Sequence, residues 1–466
     1  MHPPEHIAET EGTASLTGRR YKMAGAGRTR ADSSANSATG AVEKSMRRTL
    51  ILPVFFITYA LAYLDRANYA FGAAAGMARD LHITAGRSAL LAALFFLGYF
   101  AFQVPGMLVA RKVSATRLVF AALILWGTLA ALTGVIRSFA WLAVDRLLLG
   151  IAESIIFPAM LLLLTRWFTR AERSRANTFL ILGNPVTVLW MSAVTGFLIE
   201  YLGWQWAFII EGVPAVLWAF IWIAAVRDEP AQARWMDPVA AAKLEAEIFA
   251  QQTEMPAQGN GVAQLRKVLF RADILQLSLQ YFCWSLGIYG FVLWLPSIVH
   301  RGAALSMGGT GLLSAVPYLL ALVLMIVAGR VSDRTLRRQE IVWPFLLLAG
   351  FAMLGSFFFA GHSFALAFTF LVIAGGCMYA PYGPFFAIIP DRVPREVTGE
   401  VFAMVNSAGA LGAFVGTYLV GLLHAITGTQ SAGYLLMSLS LLASAILLIR
   451  LPKVPASPVA GEFRHA

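Results

Sequence analysis

Twelve runs of apolar residues, each 18 to 28 long, leave this chain few ways to fold. They occupy 50–72, 88–110, 118–136, 139–165, 177–200, 205–226, 273–299, 307–329, 341–360, 363–390, 399–424 and 432–449. At a helical rise of about 1.5 Å per residue, each is long enough to cross a hydrocarbon layer of about 30 Å. The chain is 58% hydrophobic and only 13% charged, with a mean hydropathy of +0.69, more apolar surface than one buried core absorbs. Lipid is therefore the solvent. The expected fold class is an all-α membrane protein of twelve transmembrane helices, arranged as two pseudo-symmetric halves of six.

The order of polar stretches sets the organisation. Residues 1–49 are mixed, polar and Arg-bearing, and read as a disordered cytoplasmic tail rather than a secretory signal. A first six-helix domain follows at 50–226, then a linker at 227–272, a second six-helix domain at 273–450, and a short cytoplasmic tail at 451–466. The linker holds Pro230, Pro238 and Pro256 and a short amphipathic helix expected near 239–252, at the membrane surface. The net charge of +11 does not point to nucleic acid, because the basic residues sit in the N-terminal tail and in short links. Arg111, Lys112 and Arg117 follow the second run, and Arg166, Arg170, Arg173 and Arg175 follow the fourth. Under the positive-inside rule both termini are cytoplasmic. Ala110-Arg111-Lys112-Val113-Ser114 and Gly329-Arg330-Val331-Ser332-Asp333-Arg334 occupy equivalent links of the two halves. Duplication accounts for that echo, and so does the bias of any inner link toward Arg and Lys.

Several function classes are disfavoured. Cys283 and Cys377 are unpaired in pattern, and His300, His362 and His424 fall near segment ends without metal-ligand spacing, so no metal or other cofactor is expected. There is no GxxxxGK[ST] loop for ATP-driven transport and no nucleophile with its base for an enzyme.

The chemistry lies inside the apolar runs. The first contains Tyr63-Leu64-Asp65-Arg66-Ala67-Asn68-Tyr69, and the fourth contains Asp145, Arg146 and Glu153. Charges at that depth are costly and mark functional sites by default. Neighbouring helical residues diverge by about 100°, so one of Asp65 and Arg66 faces a cavity while the other pairs sideways. Arg146 and Glu153 are seven residues apart, on one face and separated by roughly 10 Å along the axis. Arginine offers a fixed fork that matches a carboxylate, whereas a carboxylate in a partly dry site can carry a proton. Arg66 and Arg146 are thus the substrate candidates, and Asp65 and Glu153 the proton-coupling candidates. The alternative is a pair of interhelical ion pairs that only lock the first half together. Tyr99 and Gln103 lie one turn apart on the second run, placed either to meet substrate hydroxyls or to join helices. Asn184 beside Pro185, Tyr281 with Trp284, and Asn406 with Ser407 add polar or aromatic groups, while Trp294 reads as an interfacial anchor. Tyr379, Pro381, Tyr382, Gly383 and Pro384 give the tenth run a broken-helix composition suited to gating. The second half carries no comparable buried charge pair, so coupling belongs mostly to the first.

These residues resemble the anion:cation symporter family within the major facilitator superfamily over about 47–450. The features that carry the likeness are Tyr63-Leu64-Asp65-Arg66-Ala67-Asn68, the Arg146 to Glu153 segment ending near Phe157-Pro158, Trp294-Leu295-Pro296, and Asn406-Ser407 with the glycines that follow. The resemblance implies proton-coupled import of a small organic carboxylate by alternating access, with sugar acids such as hexonates, ketogluconates and hexuronates foremost. It implies carboxylate recognition by Arg66 and Arg146, proton coupling through Asp65 and Glu153, and polar substrate contacts from Tyr99, Asn184 and Asn406. Tyr69, Tyr281 and Tyr382 complete the expected substrate set, with a further aromatic around Phe385 or Phe386. It also implies a bacterial inner-membrane carrier, in contact with the lipid bilayer and sufficient as a monomer. The superfamily's turn after the second helix usually holds an Asp where this chain has Ala110. Gating is therefore expected to rest on Asp333, Arg334 and Arg111. Anion exchange or export, and anion sensing without transport, are the competing readings.

Overall fold

The computed structural model describes residues 47, 49–64, 66, 68–253, 267–393, 397–429 and 431–452. Asp65 and almost all of both expected tails lie outside them. Among the described residues all regular structure is helical, as a bilayer without water for backbone groups requires of non-barrel spans. The first half comprises α1 (Thr49–Ala74), α2 (Ala85–Lys112), α3 (Ala115–Thr133), α4 (Phe139–Trp167), α5 (Arg170–Leu202) and α6 (Trp204–Ala225). The second comprises α7 (Ala272–Ala303), α8 (Met307–Thr335), α9 (Arg338–Phe359), α10 (Phe364–Ile388), α11 (Thr398–Thr427) and α12 (Ser431–Ile449). This is an all-α fold of twelve long helices in two pseudo-symmetric halves.

Local sequence explains where the helices begin and break. Ser114, Ser306 and Ser363 each cap a helix by accepting from the backbone N–H three residues on. Thr169 and Glu172 form a capping box at the start of α5. In α4 the regular helix stops at Ser154 and resumes at Ile156, because Pro158 has no N–H to offer the Ser154 carbonyl. In α10 it stops at Tyr379 and resumes at Tyr382, where Pro381 and Pro384 withhold two donors. The break expected from that composition is present.

Each half closes over its own core. Trp126, Trp167 and Trp222 are buried in one cluster, and Trp284, Phe291 and Phe385 in the other. The helix Pro238–Thr253 belongs to the first: Ala241, Leu244 and Ile248 are buried in that cluster, and Trp235 stacks on Trp167 at 5.6 Å.

At the end nearest the termini, each half ties three elements together. In the first, Arg47 at the head of α1 donates to the Trp167 carbonyl at 2.8 Å and pairs with Glu172 at 3.5 Å, both at the α4–α5 link. Trp167 Nε1 then donates to the Arg227 carbonyl beyond α6 at 2.8 Å. In the second, Arg392 in the α10–α11 link lies 3.8 Å from Asp273 at the head of α7 and donates to the Pro452 carbonyl beyond α12 at 2.7 Å. The opposite end joins the halves themselves. There α5 and α8 touch backbone to backbone: a Cβ on Gly196 would meet Gly311 Cα at 3.0 Å, and one on Gly311 would collide with the Ser192 carbonyl. Glu200 Oε2 accepts from the Gly308 N–H at 2.6 Å across this contact.

Candidate functional site

The site begins with two helices in close contact. Gly98 of α2 and Gly150 of α4 face each other's neighbours so closely that a Cβ on either would collide with a backbone carbonyl, of Leu147 and Phe95 respectively. Only glycine permits that crossing. It sets Phe95 and Tyr99 of α2 beside Arg146 and Glu153 of α4.

Arg66 reaches into this junction from α1. Its Nε donates to Glu153 Oε1 at 2.7 Å, and its Nη2 lies 2.6 Å from the same oxygen. The Glu153 side chain is fully buried, whereas Arg66 retains 10% exposure. The rings of Tyr63 and Tyr99 hold the guanidinium from either helix, with centroids 4.5 and 4.7 Å from its carbon. Glu153 therefore occupies the Nε–Nη2 edge of the arginine fork.

Arg146 is held differently. It is 2% exposed and lies 4.9 Å from the Tyr69 ring centroid and 5.6 Å from that of Phe95. Its Nε and Nη1 make no hydrogen bond to a described residue. Tyr69 directs its hydroxyl to the Ser88 carbonyl at 2.9 Å, tying α1 to α2. Neither Arg146 nor Tyr69 lines the cavity between the halves. Asp145, beside Arg146, accepts from Thr133 Oγ1 at 2.7 Å and so links α4 to α3.

That cavity has a volume of about 60 Å³ and lies across the interface. At about 15 Å³ of such space per water, it holds roughly four waters and would have to widen around a six-carbon acid. The first half contributes Arg66, Tyr59, Tyr63 and Tyr99, with Phe95, Phe96 and Phe157. From the second come Tyr281, Ser285 and Tyr289 of α7, Tyr382 and Phe386 of α10, and Phe402 and Asn406 of α11. Small residues of α11, Gly409, Ala410 and Ala413, complete the wall. Arg66 is the single charged residue among the described lining groups.

The structure thus brings together Arg66, Glu153, Tyr99, Asn406, Tyr281 and Tyr382 at or directly behind one cavity. Phe386 supplies the expected additional aromatic, while Phe385 is fully buried behind it. Trp284 does not line the cavity: it is fully buried, and its Nε1 donates to the Met378 carbonyl at 3.0 Å. Gln103 is drawn away from Tyr99, accepting from Ser407 Oγ at 3.1 Å across the interface of α2 and α11. Asp333 and Arg334 are exposed at the end of α8 and form no ion pair with a described residue. Asp65 and the side chains of Asn184 and Arg111 lie outside the described residues.

Tyr59, Phe96, Phe157, Ser285, Tyr289 and Phe402 were not among the candidates drawn from the sequence. Their signal is spacing: 59, 63 and 66 share one helical face, as do 281, 285 and 289, and 402, 406, 409 and 413.

Comparison with known proteins places this geometry. A sequence model described as Major Facilitator Superfamily matches residues 55–417 and 305–465. A protein of Agrobacterium vitis named for tartrate transport is 31% identical over 428 residues, covering 89% of this chain and 92% of that protein. The quinolone resistance transporter of Acinetobacter baumannii is 29% identical, covering 87% and 94%. Among solved structures, the inward open xylose transporter of E. coli superposes with a TM-score of 0.71 over 87% of this chain and 97% of that one. At 12% identity, that likeness speaks for the fold alone.

Proposed function

The chain belongs to the Major Facilitator Superfamily, and from that premise we propose that it imports a small organic carboxylate together with protons by alternating access. The observation that carries this reading is the Arg66–Glu153 pair: the charged group at the cavity wall shares its fork with a fully buried carboxylate. A substrate carboxylate and Glu153 then compete for one guanidinium. When Glu153 takes a proton, its hold on Arg66 weakens and the fork turns to the substrate. When the proton leaves toward the other side, Glu153 reclaims Arg66 and displaces the anion. Coupling arises because both ligands act on the same arginine, with no covalent step. Arg146 adds a second positive charge behind the wall, close to the Tyr69 and Phe95 rings. Asp65, adjacent to Arg66, joins Glu153 in the proton path on the strength of its position in the sequence.

Asn406, Ser285 and the cavity phenols offer partners for hydroxyls on the substrate, whether a sugar acid or another hydroxylated carboxylate. The name of the Agrobacterium vitis relative points to a hydroxylated diacid in the same class. The protein works as a monomer in the inner membrane, both termini cytoplasmic, since one chain holds the whole cavity.

The test is uptake into sealed vesicles containing the purified protein. Labelled carboxylates are offered with and without an inward proton gradient, to the wild type and to Glu153→Gln. Gradient-driven accumulation should vanish in the variant while counterflow persists. Accumulation that survives unchanged removes Glu153 from the proton path. Robust exchange that no gradient drives in the wild type replaces symport with anion exchange.

A further inference from the structure

Eleven of the seventeen described residues lining the cavity are aromatic, and they are arranged as paired ring surfaces rather than as scattered side chains. Phe96 of the first half and Tyr289 of the second approach with centroids 4.5 Å apart, closing the wall across the interface. Phe386 and Phe402 stack at 4.6 Å and 26° between planes, forming a second platform from α10 and α11. Tyr281 stands edge-on to Phe386, with centroids 5.3 Å apart and 69° between planes. The arginine continues the pattern, since its guanidinium is itself held against the rings of Tyr63 and Tyr99.

Such walls suit some carboxylates better than others. An aliphatic polyol acid surrounded by ring faces must give up water at every hydroxyl, and each hydroxyl left unpaired weakens binding. Apart from the phenol groups, the described walls offer Asn406 and Ser285 as polar partners. A flat ring pays no such penalty, and stacking on aromatic faces adds to its burial. Its carboxylate would sit at Arg66, one face against the stacked Phe386–Phe402 pair, its edge toward Phe96 and Tyr289, whose planes are inclined at 60°, and a ring hydroxyl or heteroatom within reach of the phenols or Asn406.

Resting on the proposed organic-anion uptake and narrowing its substrate, we infer that the site is built for a planar aromatic carboxylate bearing one or two polar ring substituents, in preference to a sugar acid. The experiment offers labelled 4-hydroxybenzoate and labelled gluconate to proteoliposomes of the full chain under the same inward proton gradient. The expected result is accumulation of 4-hydroxybenzoate at a half-saturation at least tenfold below that of gluconate. Phe402→Leu and Phe386→Leu keep apolar bulk and remove the ring, and each should raise the half-saturation for 4-hydroxybenzoate about fivefold. Binding of the same compound, read by its protection of the purified protein against heat, should weaken in parallel.

Accumulation of gluconate with no competition from 4-hydroxybenzoate overturns the inference and leaves carboxylate symport standing. Uptake of 4-hydroxybenzoate indifferent to both leucine variants overturns the role of the ring platform. Failure of both compounds to be transported or to protect against heat overturns the inference together with the uptake reading beneath it.

Discussion

At the end nearest the termini, Arg47 binds the α4–α5 link in the first half while Arg392, itself in the α10–α11 link, binds the head of α7 in the second. The three elements joined are equivalent in the two halves, but the residues that join them are not. The cavity side differs more. The first half places Arg66 at the wall with Arg146 and Glu153 behind it, whereas the described cavity wall of the second holds no charged group and presents rings, three of them phenols, with one amide and one serine hydroxyl. A duplicated scaffold can therefore keep its packing while its halves divide the chemistry. One holds and neutralises charge, and the other shapes the space that a substrate's body occupies.

The largest expected effect breaks that division directly. Arg66→Ala removes the wall's charge and breaks its pair with Glu153, and breaking a buried pair costs about 3–5 kcal/mol. Vesicle uptake should fall more than a hundredfold, with a lowered melting temperature. Asn406→Ala in the opposite wall removes one neutral partner worth about 1 kcal/mol, so uptake should fall only about fivefold. Equal losses from the two substitutions would end the claim of unequal halves. Glu153→Gln is the finer cut, since it should separate coupling from translocation where Arg66→Ala abolishes both. The smallest effect concerns what the halves share. Arg47→Ala and Arg392→Ala should each lower the melting temperature of the purified protein by about 1–3 °C, since each removes a largely buried guanidinium whose carboxylate partner lies at 3.5 or 3.8 Å rather than in a short pair. A large drop from one and none from the other would show that the two corners do not bear equal load.

Much of this was legible in the chain itself. The twelve spans followed from run length, and the break in α10 followed from Pro381 and Pro384. Arg66 and Glu153 stood out because charge inside an apolar run has few innocent explanations. Their pairing stood only as the alternative, an interhelical ion pair, since α1 and α4 are far apart in sequence and the spacing of Arg146 and Glu153 suggested a shared site on one helix. The ring platform did not stand out. In a soluble protein a face of Phe and Tyr signals a core, but in a membrane helix the same face can meet lipid, a neighbouring helix or the cavity. Phe402 lines the cavity whereas Phe220 is 58% exposed, and only the face that Phe402 shares with Asn406 sets them apart.

The helix Pro238–Thr253, which packs on the first half through Leu244 and Ile248, also settles how the polypeptide is best divided. It is a part of one half and not a neutral bridge between two. A carrier expressed as two separate pieces should regain uptake when the break follows Thr253. It should regain far less when the break precedes Pro230, because the first piece then lacks Trp235 as the cover over Trp167.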